Sequence, residues 1–176
     1  MDFTLLSSYT QLNFSKDAAS NLKKIKQISG IDIFDFNDAA TFNFKENAVI
    51  IDAVFGTGLN RRTNKKEIDL ITFLNGVKLP KVSIDMPSGL LADQMITDQT
   101  VIFKADETLS FQFWKKTFLH PETGIYCGKV HILDISLSEE FIQDEITSDY
   151  VIDDQLIHRI YKTRSEFSHK GNFGKT

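Results

Sequence analysis

The alternation of apolar and polar positions predicts a helix near the start of the chain. Ala18, Leu22 and Ile25 recur at positions i, i+4 and i+7, and lysines fill the opposite face that this spacing defines. Ser15 stands where an N-cap side chain would accept a hydrogen bond from the first turn, and Gly30 follows the periodic segment. We therefore predict an amphipathic helix that begins after Ser15 and ends before Gly30.

The next part of the chain has the pattern of a strand, a helix and a second strand. Residues 48–56 (AVIIDAVFG) form a near-continuous, β-branched apolar run, which predicts a central strand covered on both faces. Residues 67–76 (EIDLITFLNG) have apolar positions at helical spacing, with Gly76 as the predicted C-cap. Residues 81–85 (KVSID) predict a strand that stops before Pro87. Such a unit has parallel strands and a right-handed crossover.

Further segments complete the predicted fold. Strands are expected at residues 31–34 (IDIF), 100–113 (TVIFKADETLSFQF) and 129–137 (KVHILDISL), the last two at one edge of the same sheet. The predicted class is α/β, with a mainly parallel sheet covered on both faces. Residues 151–164 predict a short helix, and residues 168–176 (SHKGNFGKT) are polar and contain glycine, so we expect the parent protein to continue beyond them.

Composition narrows the classes of function. The chain of 176 residues has a net charge of −4, which argues against general attraction to nucleic acid or to acidic membranes. No apolar run approaches the roughly 20 residues needed to span a bilayer, and no basic segment precedes an apolar one at the N-terminus. Cys127 is the single cysteine, so an intrachain disulfide is impossible and a cytoplasmic location is favoured.

Two loops contain the candidate chemistry, because both follow predicted parallel strands. Residues 52–61 (DAVFGTGLNR) and 83–89 (SIDMPSG) should face each other in the crevice beyond the carboxyl ends of a doubly wound sheet. Gly56 and Gly58 allow amide groups to approach an anion closely, and two arginines follow them, so a phosphate or pyrophosphate is the expected ligand. A strand-to-helix turn with a solvated basic loop is the alternative interpretation.

The carboxylates at the two strand ends suggest a cation site beside an acid or base. Asp52 and Asp85, together with the Ser88 hydroxyl and loop carbonyls, form an all-oxygen environment that suits a hard cation. One aspartate could hold the ion while the other transfers a proton. A carboxylate that only caps loop amides is the alternative for each. Ser88 lacks a G-x-S-x-G context and the four histidines lack zinc-site spacing, so a serine hydrolase or a zinc enzyme has little support.

The loops and the strands after them resemble a known family. The segments IIDAVFGTGLNR, SIDMPSGLLAD, ADETLSF and GIYCGKVHILDISL, spread over residues 48–137, are similar to the later part of the YjeF N-terminal domain, an epimerase of hydrated nicotinamide nucleotides. This resemblance implies a Rossmann-like, doubly wound sheet that is incomplete at its N-terminal side, formed by residues 1–147. The segment RSEFSHKGNFGK resembles the start of the ADP- or ATP-dependent hydrate dehydratase. Residues 148–176 would then be a linker helix and the beginning of that ribokinase-like domain.

The resemblance also implies roles for individual residues. Asp52 and Ser88 would help to coordinate a potassium ion, and Asp85 would be the catalytic acid or base. The substrate would be hydrated NADH or NADPH (NADHX or NADPHX), epimerised between its R and S forms. Contacts with this substrate would come from Gly56, Thr57, Gly58, Leu59, Asn60, Arg61, Arg62 and Asp85. ADP or ATP would bind to the dehydratase domain outside this chain, and the sequence leaves open whether the protein forms a homodimer.

The sequence departs from the family pattern in one respect. The motif G-x-N-N-G-G-D-G, which in the family binds the substrate phosphates and supplies a further potassium ligand, does not occur. We therefore expect this chain to be inactive on its own. A non-catalytic nucleotide-binding or protein-interaction module that lost the phosphate loop is the competing hypothesis. An unstable fragment with an exposed sheet edge is a third.

Overall fold

A computed structural model provides the fold of the chain. It describes residues 3–7, 15–35, 42–93, 101–147, 149–161 and 163–172. The strands are β1 (Phe3–Ser7), β2 (Ile31–Asp35), β3 (Ile50–Asp52), β4 (Lys81–Ile84), β5 (Glu107–Phe111) and β6 (Lys129–Leu133). The helices are α1 (Lys16–Ile25), α2 (Lys65–Gly76), α3 (Lys116–Leu119), α4 (Pro121–Gly124), α5 (Glu139–Asp144) and α6 (Asp154–Ile160), followed by a 3-10 turn at Lys170–Asn172. The chain divides into two compact units, Met1–Ser136 and Leu137–Thr176.

A four-stranded parallel sheet is the centre of the first unit. Its strands are ordered β3-β4-β5-β6, and Asp52 on β3 lies opposite Ser83 on β4. The crossover between β3 and β4 contains α2, so the predicted strand–helix–strand unit with parallel strands is confirmed. The predicted strands at residues 100–113 and 129–137 also belong to this sheet, on the side of β4 away from β3. The predicted Rossmann-like α/β class is therefore confirmed.

In the sequence, the first helix connects the two strands of a second parallel sheet. Strands β1 and β2 pair in register from Phe3 and Ile31 onward, and α1 connects them. Ser15 is the N-cap as predicted, and its hydroxyl accepts a hydrogen bond from the Ala18 amide at 3.1 Å. The helix ends at Ile25, earlier than expected, because residues 26–30 form turns.

The second helix begins with a reciprocal cap. Asn64 accepts a hydrogen bond from the Glu67 amide, and the Glu67 carboxylate accepts one from the Asn64 amide, so two amides of the first turn are satisfied. The prediction that Gly76 caps the other end is wrong. Gly76 is still helical, and Val77, in an extended conformation, is the C-cap whose amide donates to the Leu74 carbonyl.

Two apolar clusters stabilise the first unit. The first packs α2 against β3 and the extended segment before β5, and it consists of Ile50, Leu70, Ile71, Leu74, Phe103 and Ala105. The second consists of Met86, Leu90, Ile102, Phe118 and Cys127. Ile102 and Phe103 are adjacent in sequence but belong to different clusters. Burial raises the pKa of the Cys127 thiol to about 11.

The first strand of the four-stranded sheet was predicted to be central and covered on both faces, and this prediction is wrong for the residues that the structure describes. β3 pairs with β4 alone and lies at the edge of its sheet. Ile50 and Asp52 are buried, whereas the side chain of Ile51 is 53% exposed and Val49 is exposed as well. Apolar residues on both faces show that a run can pack on both sides, but they do not determine whether it does.

Two predicted strands are shorter than their apolar runs. β5 begins at Glu107, because the amides of Phe103 and Ala105 donate to loop carbonyls of Ser88 and Tyr126 instead of to a neighbouring strand. The start of that prediction, Thr100, lies outside the described residues. β6 ends at Leu133, and the residues after it turn away through a left-handed backbone conformation at position 136 (φ 59°).

The second unit consists of short helices. Ser138 caps α5 and Asp153 caps α6 through their side-chain oxygens, and the predicted helix within residues 151–164 is confirmed as α6. The last four residues of the predicted start of a second domain, 173–176, lie outside the described part of the chain. Among the described residues, no helix is both long and apolar enough to cross a membrane.

Candidate functional site

The two predicted loops meet at the carboxyl ends of β3 and β4. Because these strands are parallel neighbours, the residues that follow them emerge at the same edge of the sheet. Hydrogen bonds join the loops directly: the Phe55 amide donates to Ser88 Oγ at 3.1 Å, the Thr57 amide donates to Asp85 Oδ2 at 3.0 Å, and Asp52 accepts bonds from the second loop. The structure therefore brings together the residues that sequence reasoning had placed in one site.

Asp52 lies at the bottom of this site, and 2% of its surface is exposed. Its Oδ1 accepts hydrogen bonds from Ser88 Oγ at 2.5 Å and the Val54 amide at 3.4 Å. Its Oδ2 accepts from the Ser88 amide at 2.7 Å and Ser83 Oγ at 3.0 Å. A carboxylate offers about four acceptor positions, so all of them are used. The alternative interpretation, a carboxylate that caps loop amides, accounts for the bonds from the Val54 and Ser88 amides.

The electrostatics of Asp52 fit a cation. Burial raises the pKa of Asp52 from its usual value, although the bonds from Ser88, Ser83 and Val54 favour the ionised form. No ion pair balances its charge among the described side chains. The donor atoms nearby are carboxylate and hydroxyl oxygens, which hard cations prefer. An ion at this point would share the Asp52 oxygens with donors that are already bonded to them.

Ser88 connects the two loops and depends on an unusual backbone after it. Its hydroxyl donates to Asp52 and accepts from the Phe55 amide, so one side chain bonds both loops. Gly89 follows with φ at +93°, and a Cβ there would lie 2.3 Å from the Val101 carbonyl oxygen. Only glycine avoids this overlap, which explains the glycine after the serine in SIDMPSG.

Asp85 occupies a strained turn at the end of β4. Its φ is +66°, a left-handed conformation that costs free energy for a residue with a side chain. The Met86 amide donates to the Ile84 carbonyl across a three-residue turn, and the Asp85 amide donates to the Leu109 carbonyl on β5. The turn directs the chain away from the sheet immediately after the strand.

A lysine that sequence reasoning had not assigned to the site pairs with Asp85. Lys115 Nζ lies 3.1 Å from Asp85 Oδ1, and only 12% and 13% of the two side chains are exposed. Burial raises the pKa of Asp85, but the hydrogen bond from the Thr57 amide and the ion pair with Lys115 outweigh it, so the pKa falls below its usual value. Asp85 is therefore an ionised carboxylate at neutral pH.

The loop after β3 approaches Asp85 closely at one glycine. A Cβ at Gly56 would lie 2.7 Å from Asp85 Oδ2, whereas a Cβ at Gly58 would meet nothing within 4 Å. The Leu59 amide donates to the Gly56 carbonyl and closes the turn, and Asn60 is exposed beyond it. The two glycines thus have different roles: Gly56 allows contact with the carboxylate, and Gly58 lies in an open part of the loop.

The two arginines after the glycines lie in different environments. Arg61 donates to both carboxylate oxygens of the buried Glu67, at 2.9 and 2.7 Å, and its guanidinium lies 5.7 Å from the centre of the Phe55 ring. Arg62 is exposed. The predicted contact of both arginines with a phosphate stays a prediction, and Arg61 would have to make it while bonded to Glu67. Sequence reasoning missed Glu67, although the spacing Asn64-x-x-Glu67 is a helix-capping signal.

The fold and the site together define a class of protein. A parallel α/β sheet with a glycine loop and two strand-end aspartates at its carboxyl edge is typical of Rossmann-like domains. Residues 2–117 match the family described as YjeF-related protein N-terminus. The chain belongs to this family, as its resemblance had implied.

Curated relatives are longer proteins. The chain is 35% identical over 127 residues to a bifunctional NAD(P)H-hydrate repair enzyme of Vibrio cholerae, covering 72% of the chain and 26% of that protein. Enzymes of the same name from Escherichia coli K12 (33% identity over 127 residues, 72% of the chain, 24% of the relative) and Coxiella burnetii (26% over 159 residues, 90% and 32%) also match. The chain therefore spans between about a quarter and a third of the length of these relatives.

Proposed function

We propose that the protein that contains this chain repairs hydrated NADH and NADPH, and that the first unit of the chain epimerises their R and S forms. The observation that carries the proposal is the ionised Asp85 carboxylate, bonded to the amide of the glycine loop in a chain of the YjeF-related family. Relatives named NAD(P)H-hydrate repair enzymes support the substrate class. They also weigh against a non-catalytic binding module.

The chemistry of the substrate assigns a task to Asp85. The hydrated carbon bears a hydroxyl group and is bonded to the ring nitrogen, whose lone pair can assist loss of that hydroxyl as water. Water then adds to either face of the cationic ring, and one proton is released for each proton that the departing hydroxyl took up. An ionised carboxylate is suited to accept the proton of the adding water and, once protonated, to return it to a departing hydroxyl. Asp85 is our candidate for both transfers.

The remaining residues of the site would bind and orient this substrate. The loop Gly56, Thr57, Gly58, Leu59, Asn60, Arg61 and Arg62 would contact it beside Asp85. Asp52 and Ser88 would hold a potassium ion, which would supply a fixed positive charge near the loops. Support comes from the burial of the Asp52 carboxyl group and from its all-oxygen surroundings.

We also propose that residues 148–176 contain a linker helix and the first residues of an ADP- or ATP-dependent dehydratase domain. The relatives are named bifunctional, and the match to the Coxiella burnetii enzyme covers 90% of the chain, so it extends past residue 147. The nucleotide would bind outside this chain. A cytoplasmic location is proposed with this function and is consistent with a single, buried thiol.

The proposal is tested by following the two epimers directly. Full-length protein is added to purified R or S forms of hydrated NADH and NADPH, and chromatography measures their interconversion over time. We expect equilibration to be accelerated well beyond the rate in buffer. A rate equal to that of buffer, with a folded protein, would contradict the proposed epimerisation.

Gly56→Ala should impair epimerisation. The added methyl group would lie 2.7 Å from Asp85 Oδ2 and would displace the carboxylate from its bond with the Thr57 amide. Because small misplacements of a reacting group are costly, we expect kcat/KM to fall by roughly 10- to 100-fold. Gly76→Ala, at the end of α2 and outside the site, is the matched control, since its Cβ would also enter open space. Equal activity of the two variants would show that the close approach at Gly56 is unimportant.

Potassium should stabilise the full-length protein through Asp52. At equal ionic strength, exchange of sodium for potassium is expected to raise the melting temperature by about 2–4 °C, the effect of about 1 kcal/mol of binding free energy. Asp52→Asn should abolish this difference, and Asp69→Asn, a change at an exposed helix position, should keep it. Scanning calorimetry measures both. A potassium effect of unchanged size in Asp52→Asn would exclude Asp52 as a ligand.

A further inference from the structure

Lys115 is held by three oxygen atoms at the end of β5. Its ammonium nitrogen lies 2.7 Å from Ser110 Oγ, 2.8 Å from the Phe111 carbonyl oxygen and 3.1 Å from Asp85 Oδ1. An ammonium group has three N–H donors, so these three acceptors match its capacity. In this arrangement Lys115 has no remaining proton directed to a ligand, and it acts on the site through its partners.

The carboxylate of Asp85 is clamped between two elements. Its Oδ2 accepts from the Thr57 amide in the loop after β3, and its Oδ1 faces Lys115 after β5. The two oxygens therefore have different partners, and rotation of the carboxylate would break both contacts. The backbone beneath it is also fixed, because the Asp85 amide donates to the Leu109 carbonyl.

Other charged groups on the neighbouring elements have their own partners or lie at the surface. Asp52 at the end of β3 bonds to the two serines of β4 and its loop, and Arg61 is paired with Glu67. Arg62 is exposed, and His131 of β6 pairs with Glu107 at the opposite end of β5. Among the described residues, Lys115 is the one cation within ion-pair distance of Asp85.

We propose that Lys115 is a positioning residue for the proposed epimerisation: its ammonium fixes the orientation of the Asp85 carboxylate and supplies its counter-charge. This inference rests on the proposed function, and it assigns a role to a residue that lies outside both loop motifs. Lys115 forms no bond with the substrate in this role. Its removal would leave the Asp85 carboxylate with the amides of Thr57 and Phe111 but without a counter-charge.

The test compares Lys115→Met, Lys115→Arg and a control, Lys129→Met, at an exposed position on β6, in the full-length protein. In Lys115→Met, kcat at pH 7 should fall roughly 10- to 100-fold while KM changes less than about threefold, as expected for a carboxylate that is no longer held in its reacting orientation. The acid limb of the pH profile should move up by roughly one to two units, because a lost opposite charge no longer favours the ionised form. Lys115→Arg should restore part of both, and Lys129→Met should match the parent protein.

A second readout does not depend on activity. The carboxyl ¹³C resonance of Asp85, identified by its absence from Asp85→Asn, should titrate at higher pH in Lys115→Met than in the parent protein. A shifted resonance in a protein without epimerase activity would refute the proposed function and retain the ion-pair role of Lys115. An unmoved resonance and an unmoved acid limb in a folded Lys115→Met protein would overturn the inference.

Discussion

Asp85→Asn in the full-length protein is expected to lower kcat/KM for epimerisation by roughly 10²- to 10⁴-fold, the usual contribution of a general acid or base. Asparagine has nearly the same shape, tolerates the left-handed backbone at this position and can still accept the hydrogen bond from the Thr57 amide. It cannot accept a proton. The change therefore removes the chemistry and preserves most of the structure, and a chromatographic assay of the two epimers measures the loss.

Two controls make this result specific. Asp93→Asn changes an exposed aspartate that follows the same loop and should leave epimerisation unchanged. ADP- or ATP-dependent dehydration, the second proposed activity, should persist in Asp85→Asn, because its proposed site lies outside this chain. An Asp85→Asn protein with normal epimerisation would eliminate the acid–base role of this carboxylate.

The low pKa of Asp85 also gives the direction of a pH effect. Its carboxyl group is ionised in the folded protein at pH values where the same group in the unfolded chain, with a usual pKa of 3.8, begins to take up a proton. The bond from the Thr57 amide and the pair with Lys115 therefore contribute stability above that pH, and this stability is lost as the pH falls through the lower, folded-state pKa. Epimerisation that depends on the ionised form should decline in the same acidic direction.

Glu67→Ala is expected to have the largest effect on stability, lowering the free energy of unfolding by about 2–4 kcal/mol. Glu67 is 1% exposed, and its carboxylate accepts hydrogen bonds from both Arg61 nitrogens and from the Asn64 amide that caps α2. Removal of one member of a buried ion pair commonly costs about 3–5 kcal/mol, and the estimate is reduced here because Arg61 is half exposed. Loss of the reciprocal cap adds about 1 kcal/mol.

Urea denaturation of the full-length protein measures this difference, with the transition of the first unit followed separately where the domains unfold in steps. Asp69→Ala is the control, since Asp69 lies on the same helix and forms an exposed pair with Lys65 at 3.6 Å. Glu67→Gln should be intermediate, because it keeps an acceptor for the cap and loses the charge. Equal stability of Glu67→Ala and Asp69→Ala would refute a structural role for the buried pair.

The parts of the site that could be predicted follow from local rules. Parallel strands joined by one crossover helix must end at the same edge, so Asp52, Asp85 and Ser88 were expected to be neighbours. The bond between Ser88 and Asp52 and the bond between Thr57 and Asp85 confirm that the loops meet. The N-cap at Ser15 was equally accessible, because a cap depends on a few consecutive residues.

The parts that could not be predicted depend on distant residues. Lys115 reaches Asp85 across 30 positions of sequence, and it lies in the segment FQFWKKTF, whose aromatic residues favour packing in the sheet and core rather than a role in the site. Parallel strands end at the same edge of a sheet, and this rule applies to β5 as it does to β3 and β4. A lysine four residues after β5 could therefore have been predicted to lie near the two aspartates. The exposure of Ile51 could not be predicted for a different reason. An apolar run does not show how many strands lie beside it in the sheet.

Cys127 is a natural probe of local opening in the first unit. The sulfur is buried, its thiol bonds to the Thr123 carbonyl oxygen, and its own carbonyl accepts a hydrogen bond from the Thr108 hydroxyl on β5. A reagent in solution therefore reaches the sulfur only during intervals when the turn before β6 separates from the sheet. The rate of thiol modification in the native protein therefore measures how often this local opening occurs. No second cysteine within the chain competes for the thiol reagent.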